Sequence, residues 1–445
     1  MAKTASIEAI ASPEKRLFIS LLTRDISLID AVLDLIDNCI NSAIIISRTE
    51  LEDPSDYIAL LEKRTKANLP TIDITFDEQG FSIEDTCGGI SLEQAEKNVF
   101  RFGRFSPDDK VDNEDRLSVY GIGLKRAMFK IGDHIQMVSA HSEDGFNLDF
   151  HVKKWERTLQ DKWTIPIQRY RGKINGGYGT KIKIDDLVPD IRKRISDGAF
   201  EGELIRRIAR SYNYFLQRIV KISVNRKTVE PVDLQFGKNT ASQSFVLNAV
   251  SCSILAGIGI PSGKFHVADV AGWYIFCNGR AIAFAEKTEL TGWGSFLPKF
   301  QPKHRPFIGL VFFTSDQPEN LPWTTTKSSI NQDSAVWQHA LRVMGTVGKQ
   351  ITSYLDSRYS DDGTEITTDE LAKVAGKAES ALGAITHGSR TFKVSRGKKD
   401  TTSIQFTVKI SQVNEVKSYL GKKTMSNGEV GRHTFDYFLE NVVRE

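Results

Sequence analysis

The sequence predicts an α+β protein: two units that mix helices with strands, then a small C-terminal α/β segment. Three observations carry this. A strongly patterned helix over residues 27–43 precedes a run of alternating strands. A mostly helical stretch over 192–216 then separates those strands from a second, strand-rich region, and the polar, glycine-containing DDGTEITTDE sets off the end of the chain. A length of 445 residues suits about two to three domains with their own cores. The net charge of +3 gives no argument for nucleic acid or acidic partners. Four separated cysteines without a CxxC argue against a disulfide framework or zinc site and for a reducing compartment. No signal-like or membrane-length apolar run is present, so the expected location is cytoplasmic, without membrane association.

The patterned helix is SLIDAVLDLIDNCINSA. Ile29, Leu33, Ile36, Ile40 and Ile44 form one stripe that faces a core. Ser27 followed by Asp30 marks its start. Asp34, Asn38 and Asn41 repeat on another face, where Lys and Glu are usual. Short carboxylates and amides suit a metal, a water or a phosphate-bound ligand, although a solvated polar face explains this helix equally well on its own.

Ahead of it, Phe18, Leu21 and Leu22 either pack on the domain or reach a second copy. Beyond it, residues 50–69 read as a charged connector with a short helix near Tyr57–Leu61. Ile72, Ile74 and Phe76 alternate, DEQG turns, and Phe81 and Ile83 alternate again, a β-hairpin that delivers Asp85 into Thr86-Cys87-Gly88-Gly89. An ordinary turn or the carboxylate floor of a pocket both fit that exit. A helix follows over 91–101, then a polar loop over 103–118 with no periodicity. Gly121-Ile122-Gly123 opens a helix with Leu124, Ala127, Met128 and Ile131 on one face. Amides at such a start favour an anion, and Lys125 and Arg126 add positive charge. Strands are expected at 134–140 and 146–152, and Gly179-Thr180 enters another. Val220–Val229 opens the second region, which includes a strand at Gly272–Ile282, the polar TSDQPENLPWTTTK ending at Lys327, and a helix near 334–355. The last segment holds the strand TSIQFTVKI and the helix VNEVKSYL.

A helix with DxxxN, a strand with DxxGG, a GxG-opened helix and a Gly-Thr strand, in that order, make the chain resemble the GHKL superfamily of ATPases, which includes gyrase B, Hsp90, MutL and the MORC proteins. LTRDISL, YGIGLKRA and LPWTTTK are similar to stretches of bacterial Hsp90-like ATP-binding proteins. The resemblance implies a Bergerat-type α/β sandwich, a mixed sheet covered by helices, followed by an S5-like α/β transducer domain. The boundaries would be 1–26 lead-in, 27–218 ATP-binding domain, 219–360 transducer and 361–445 C-terminal region. It implies Asp34 as general base, Asn38 as magnesium ligand, and Asp85 as acceptor of the adenine amine. Gly89, Gly121, Ile122, Gly123, Leu124, Lys125 and Thr180 would hold the nucleotide, the Lys125 side chain either touching phosphate or neutralising local charge, and Lys327 would reach the γ-phosphate. The sequence departs from the pattern at Asp34, where Glu is usual, at Asn41, where a carboxylate is usual, at Cys87 for the first glycine of its motif, and at Ser118 for the first phosphate-loop glycine. Losing one methylene retracts the carboxylate by about 1.5 Å, and misplacement of about 1 Å can cost ~100-fold in rate. Asp37, about 60° around the helix from Asp34, fits a structural role better than that of a substitute base.

The expected function is a Mg-dependent ATPase, slow if Asp34 falls short, that closes or forms a homodimer on ATP; the protein or nucleic-acid client is not readable. The alternative is a nucleotide-sensing module with little turnover. A histidine protein kinase is disfavoured, because its ATP domain follows a phosphoacceptor helix and carries Asn where Asp34 stands.

Overall fold

The computed structural model describes residues 14–48, 69–103, 117, 121–158, 163–261, 266, 268–359, 368–380, 389–393, 404 and 406–444. The chain divides into two compact units, Met1–Val394 and Ser395–Glu445.

In the first unit, α1 (Lys15–Arg24) leads into α2 (Leu28–Arg48). Phe18 settles one open question by packing edge-on against Phe102 and Trp163, with centroids 4.8 and 5.3 Å away. Ser27 starts α2 as expected: its hydroxyl accepts from the Asp30 N–H at 3.0 Å. Leu33, Ile36, Ile40 and Ile44 are buried, and so are Asp34, Asp37 and Asn41. The polar face therefore lies against protein rather than water.

The hairpin of β1 (Thr71–Phe76) and β2 (Gly80–Asp85) forms with Ile74 opposite Ile83. α3 (Leu92–Gln94), capped reciprocally by Ser91 and Gln94, continues as a π-helical turn over Ala95–Val99. Next come α4 (Gly123–Ile131), β3 (Gly132–Ala140), β4 (Gly145–His151), α5 (Val152–Glu156), β5 (Gln168–Tyr170) and β6 (Gly179–Leu187). The expected helical stretch breaks into α6 (Pro189–Ile195), α7 (Ala199–Ser211) and α8 (Asn213–Arg218). The short helix expected near residues 57–61 and the polar loop over 104–116 fall outside the described residues.

One expectation changes. The strand expected to open the second domain instead completes the first sheet: β7 (Lys221–Val224) runs parallel to β1, and β8 (Lys227–Thr228) follows it. The eight-stranded sheet is ordered β5-β4-β3-β6-β2-β1-β7-β8. All its pairings are antiparallel except β1–β7, which makes it mixed. Ile135, Met137, Ile182 and Ile184 on one face share a core with the apolar face of α2.

The second sheet contains β9 (Gln235–Leu247), β10 (Val250–Gly259), β11 (Gly272–Cys277), β12 (Arg280–Glu286) and β13 (Phe307–Thr314), backed by the long α9 (Ala335–Tyr359). After α10 (Thr368–Ala375), β14 (Ala378–Ser380) pairs with β9 at the edge. The single strand expected at 272–282 is a hairpin, since Asn278 (φ 46°) and Gly279 (φ 84°) make a two-residue turn. The second unit holds α11 (Ile410–Tyr419) and α12 (Asn427–Phe438). The helix expected there forms; of the expected strand over 402–410, the described residues 404 and 406–409 are not in a strand and Ile410 already begins α11. No helix among the described residues is long and apolar enough to cross a membrane.

Candidate functional site

Asp34 lies beneath the start of α4. The Cβ position at Gly123 lies 3.4 Å from the Asp34 carboxyl carbon, ordinary van der Waals distance, so this carboxylate packs directly against the helix start. Gly121 sits at φ +61°, which turns the chain into the helix at low cost. Ile122 and Leu124 are half-buried on either side. The first amides of a helix lack intrahelical acceptors, so this end is suited to an anion.

Asp34 is only 2 % exposed. Its Oδ2 accepts from Arg126 twice, from Nε at 3.1 Å and Nη2 at 2.5 Å, leaving Oδ1 for another donor. Burial pushes the carboxyl above its ordinary range, against the opposing charges of Lys327 and Arg126. Asn38, one turn on, donates its amide N–H to the Asp34 carbonyl at 3.0 Å. That bond fixes the amide, and its Oδ1 accepts nothing among the described residues. Asn41 Oδ1 accepts from the Leu117 N–H at 3.0 Å, which ties Leu117 to α2.

Asp85 ends β2 at 6 % exposure. Its Oδ1 accepts from the Cys87 N–H at 2.8 Å and the Thr180 N–H at 3.4 Å, and the Cys39 and Cys87 thiols also donate to the carboxylate. Burial raises its pKa, and these hydrogen bonds, together with the Cys39 and Cys87 thiols, oppose that shift. Thr180 Oγ1 lies 2.9 Å from Ser139 Oγ, which itself accepts from the Ile90 N–H at 2.7 Å. Gly89 has φ +73°, and a methyl group there would sit 1.9 Å from the Ala140 carbonyl oxygen. Only glycine fits this approach of loop to strand. Two of the expected residues, Asp85 and Thr180, thus meet where β2 and β6 pair, through the Asp85 carboxylate and the Thr180 backbone N–H.

Lys327 comes from the second-sheet side. It sits in a turn closed by its own N–H on the Thr324 carbonyl at 2.8 Å, with φ +52°. Its ammonium donates to Asp37 Oδ2 at 2.7 Å, one turn from Asp34 on the same helix. Asp37 also accepts from Arg280, and the Tyr212 hydroxyl lies 2.7 Å from both Asp37 Oδ1 and the Leu33 carbonyl. Asp37 thereby fills the structural role expected of it.

Lys125 turns away from the helix start. Its ammonium donates to the carbonyls of Val99 and Arg101 at 2.7 and 2.6 Å, and burial pulls its pKa down to about 8. Its side chain is committed to the end of the π-helical turn, leaving only its backbone for the phosphate role expected of it. Arg280 and Tyr212 were not expected from the sequence; an arginine beside a turn in a wholly apolar strand was the one available signal for Arg280. A cavity of about 420 Å³ lies elsewhere, on the open face of the first sheet between Gln136, Asp149, Gln168 and Lys183. None of the expected site residues lines it, and it offers no buried acceptor comparable to Asp85.

Residues 26–175 match a family described as histidine kinase-, DNA gyrase B- and HSP90-like ATPase. The match spans α2, β2 and the start of α4, supports the GHKL superfamily for this stretch, and points to ATP binding and hydrolysis in general. The mixed sheet with its helices is consistent with that fold. No curated protein matches the chain.

Proposed function

We propose that the protein binds Mg-ATP at this site and hydrolyses it, acting as a conformational switch that closes or dimerises on ATP. What supports the reading is the pair of buried carboxylates, Asp85 where β2 ends and Asp34 against the glycine-opened start of α4, which we assign to the two ends of one site. Adenine presents an amine donor, which a buried carboxylate oxygen selects; Thr180 supports the same end. The triphosphate lies along the amides of Gly121 to Lys125, where the helix end favours negative charge. Asn38 Oδ1, with its amide fixed and its oxygen free among the described residues, fits a hard cation that prefers oxygen ligands. Magnesium held there would neutralise phosphate charge. Asp34 takes the proton of the attacking water through Oδ1, the oxygen that Arg126 leaves open. Lys327 supplies positive charge to the γ-phosphate from the second-sheet side.

A second reading, a nucleotide-sensing module with little turnover, is favoured by one observation. Both Arg126 contacts fall on the short Asp34 side chain, and that pairing restrains the carboxylate from reaching outward.

Asp85→Asn tests the binding site. The Cys87 N–H requires an acceptor, so the amide oxygen stays there and the amide N–H group faces the adenine amine. A donor–donor mismatch of this kind costs on the order of 1–3 kcal/mol, roughly 5–150-fold in affinity. Calorimetry should show that loss for ADP and ATP alike, with the fold intact. Unchanged affinity for both would remove Asp85 from the site.

A further inference from the structure

We infer that Asp37 is a positioning residue: through one shared carboxylate it presents Lys327 to the terminal phosphate and makes the second sheet sense that phosphate. The inference rests on the nucleotide site proposed above and adds to it the device that aims its lysine.

Three observations point to it. First, Lys327 is 7 % exposed, yet of its three N–H donors only one has an acceptor among the described residues, Asp37 Oδ2 at 2.7 Å. A nearly buried ammonium with two donors to spare suits a ligand with several oxygens. Second, the charges do not balance. Asp34 and Asp37 face Arg126, Arg280 and Lys327, and all five side chains are buried. Asp30, whose charge also reaches Arg280, is matched by Arg207 at 3.8 Å. Among the described residues the cluster therefore carries one more cation than anion, and Lys327 at 7 % is as exposed as any of its cations; an anion completes it. Third, Asp37 is itself immobilised. Tyr212 lies on Oδ1 and Arg280 on Oδ2, and both partners are buried. Arg280 belongs to β12 and Lys327 to the turn after Trp323, so both reach α2 from the second-sheet side.

The consequence is geometric. Asp37 holds one donor of Lys327 and thereby fixes the direction of the other two, while Arg280 keeps Asp37 compensated when the lysine also serves a phosphate. A flexible lysine would have to be ordered by the nucleotide itself, whereas this one is ordered beforehand.

The test uses the full chain and two probes: ADP, and the non-hydrolysable ATP analogue AMP-PNP, both with magnesium. Wild type should prefer AMP-PNP. Lys327→Ala and Asp37→Asn should each leave ADP affinity within about twofold and reduce that preference by about tenfold, and the double variant should do no worse than either single one, as expected for groups acting as a unit. Tyr212→Phe keeps every charge, removes the hydroxyl from Asp37 Oδ1 and the Leu33 carbonyl, and should lose part of the preference without losing ADP. A folded Asp37→Asn that retains the wild-type preference, or a double variant whose losses add, overturns the inference. If Asp37→Asn does not fold, Tyr212→Phe decides, and an unchanged preference there overturns it. Failure of wild type to bind either probe refutes the site itself, an outcome distinct from normal ADP binding with an unaltered preference.

Discussion

Asp34→Asn separates chemistry from stability at one atom. In the wild type, Oδ2 takes both Arg126 contacts, and an amide oxygen can accept the same two N–H groups. What the substitution removes is charge. Burial already makes the ionised form the disfavoured one in the fold, so losing the charge relieves a desolvation cost while weakening the pairing with Arg126 and Lys327. The two effects oppose each other, and the melting temperature should stay within about 2–4 °C, the equivalent of ~1 kcal/mol. Turnover should behave differently. An amide can hold a water but cannot take its proton, and losing a positioned base costs about 10²–10⁴-fold, or about 3–5 kcal/mol of barrier. The pH dependence has a definite sign. A folded-state pKa above the ordinary aspartate value means that the native protein binds the proton more readily. The stability so gained is present in full below the ordinary value and is lost as pH rises through the folded one. Wild type should therefore gain stability over Asp34→Asn on acidification through that window. Single-turnover hydrolysis, Mg-ATP titration and melts across pH measure all three. Turnover of the variant within about twofold of wild type would mean that the water is activated by another group. Wild type that binds ATP tightly and does not hydrolyse it supports the sensing module instead.

Two further substitutions examine the frame of the site. Gly89→Ala forces a methyl group toward the Ala140 carbonyl at φ +73°; the backbone alone costs about 1–2 kcal/mol, and the clash adds to it, so both thermal stability and ADP affinity should fall. Normal melting and binding would show that the loop adjusts freely. Lys125→Met should spare nucleotide affinity if the ammonium serves the Val99 and Arg101 carbonyls alone, and a loss of ATP affinity would restore it to the phosphates. Its pKa is held down to about 8 against an ordinary 10.5, so the charged form is the costly one in the fold. Wild-type stability should rise between those values relative to the variant, as seen in denaturant titrations across pH.

Local chemistry was legible in the sequence wherever a residue's role depends on its neighbours in the chain. The apolar stripe of α2, the Ser27 start, the Ile74–Ile83 hairpin and the glycine at position 89 each follow from periodicity or from a backbone angle few residues adopt. Strand membership at 221–228 was not legible, because a strand's own pattern does not say which sheet it joins; the parallel pairing with β1 is a tertiary choice. The side-chain contacts of Lys125 were not legible for a related reason. A lysine just inside a helix start suggests phosphate, yet its long side chain reaches back 24 and 26 residues to two carbonyls.

Asp34 and Asp37 show the same limit in its sharpest form. They stand three residues apart, about 60° around one helix, with equal chemistry and nearly equal burial. Asp34 meets the start of α4 and Arg126, the local partners that a glycine-opened helix supplies. Asp37 meets Tyr212, Arg280 and Lys327, which lie 175, 243 and 290 residues further along the chain. Nothing in the spacing of α2 distinguishes a carboxylate that faces a phosphate loop from one that gathers cations out of a second sheet. The distinction arises from what packs against each side, and at the proposed site it would make α2 an element on which the nucleotide and the second sheet act together. A substitution at Asp37 should thus be felt through the terminal phosphate, while one at Asp34 should be felt through the water.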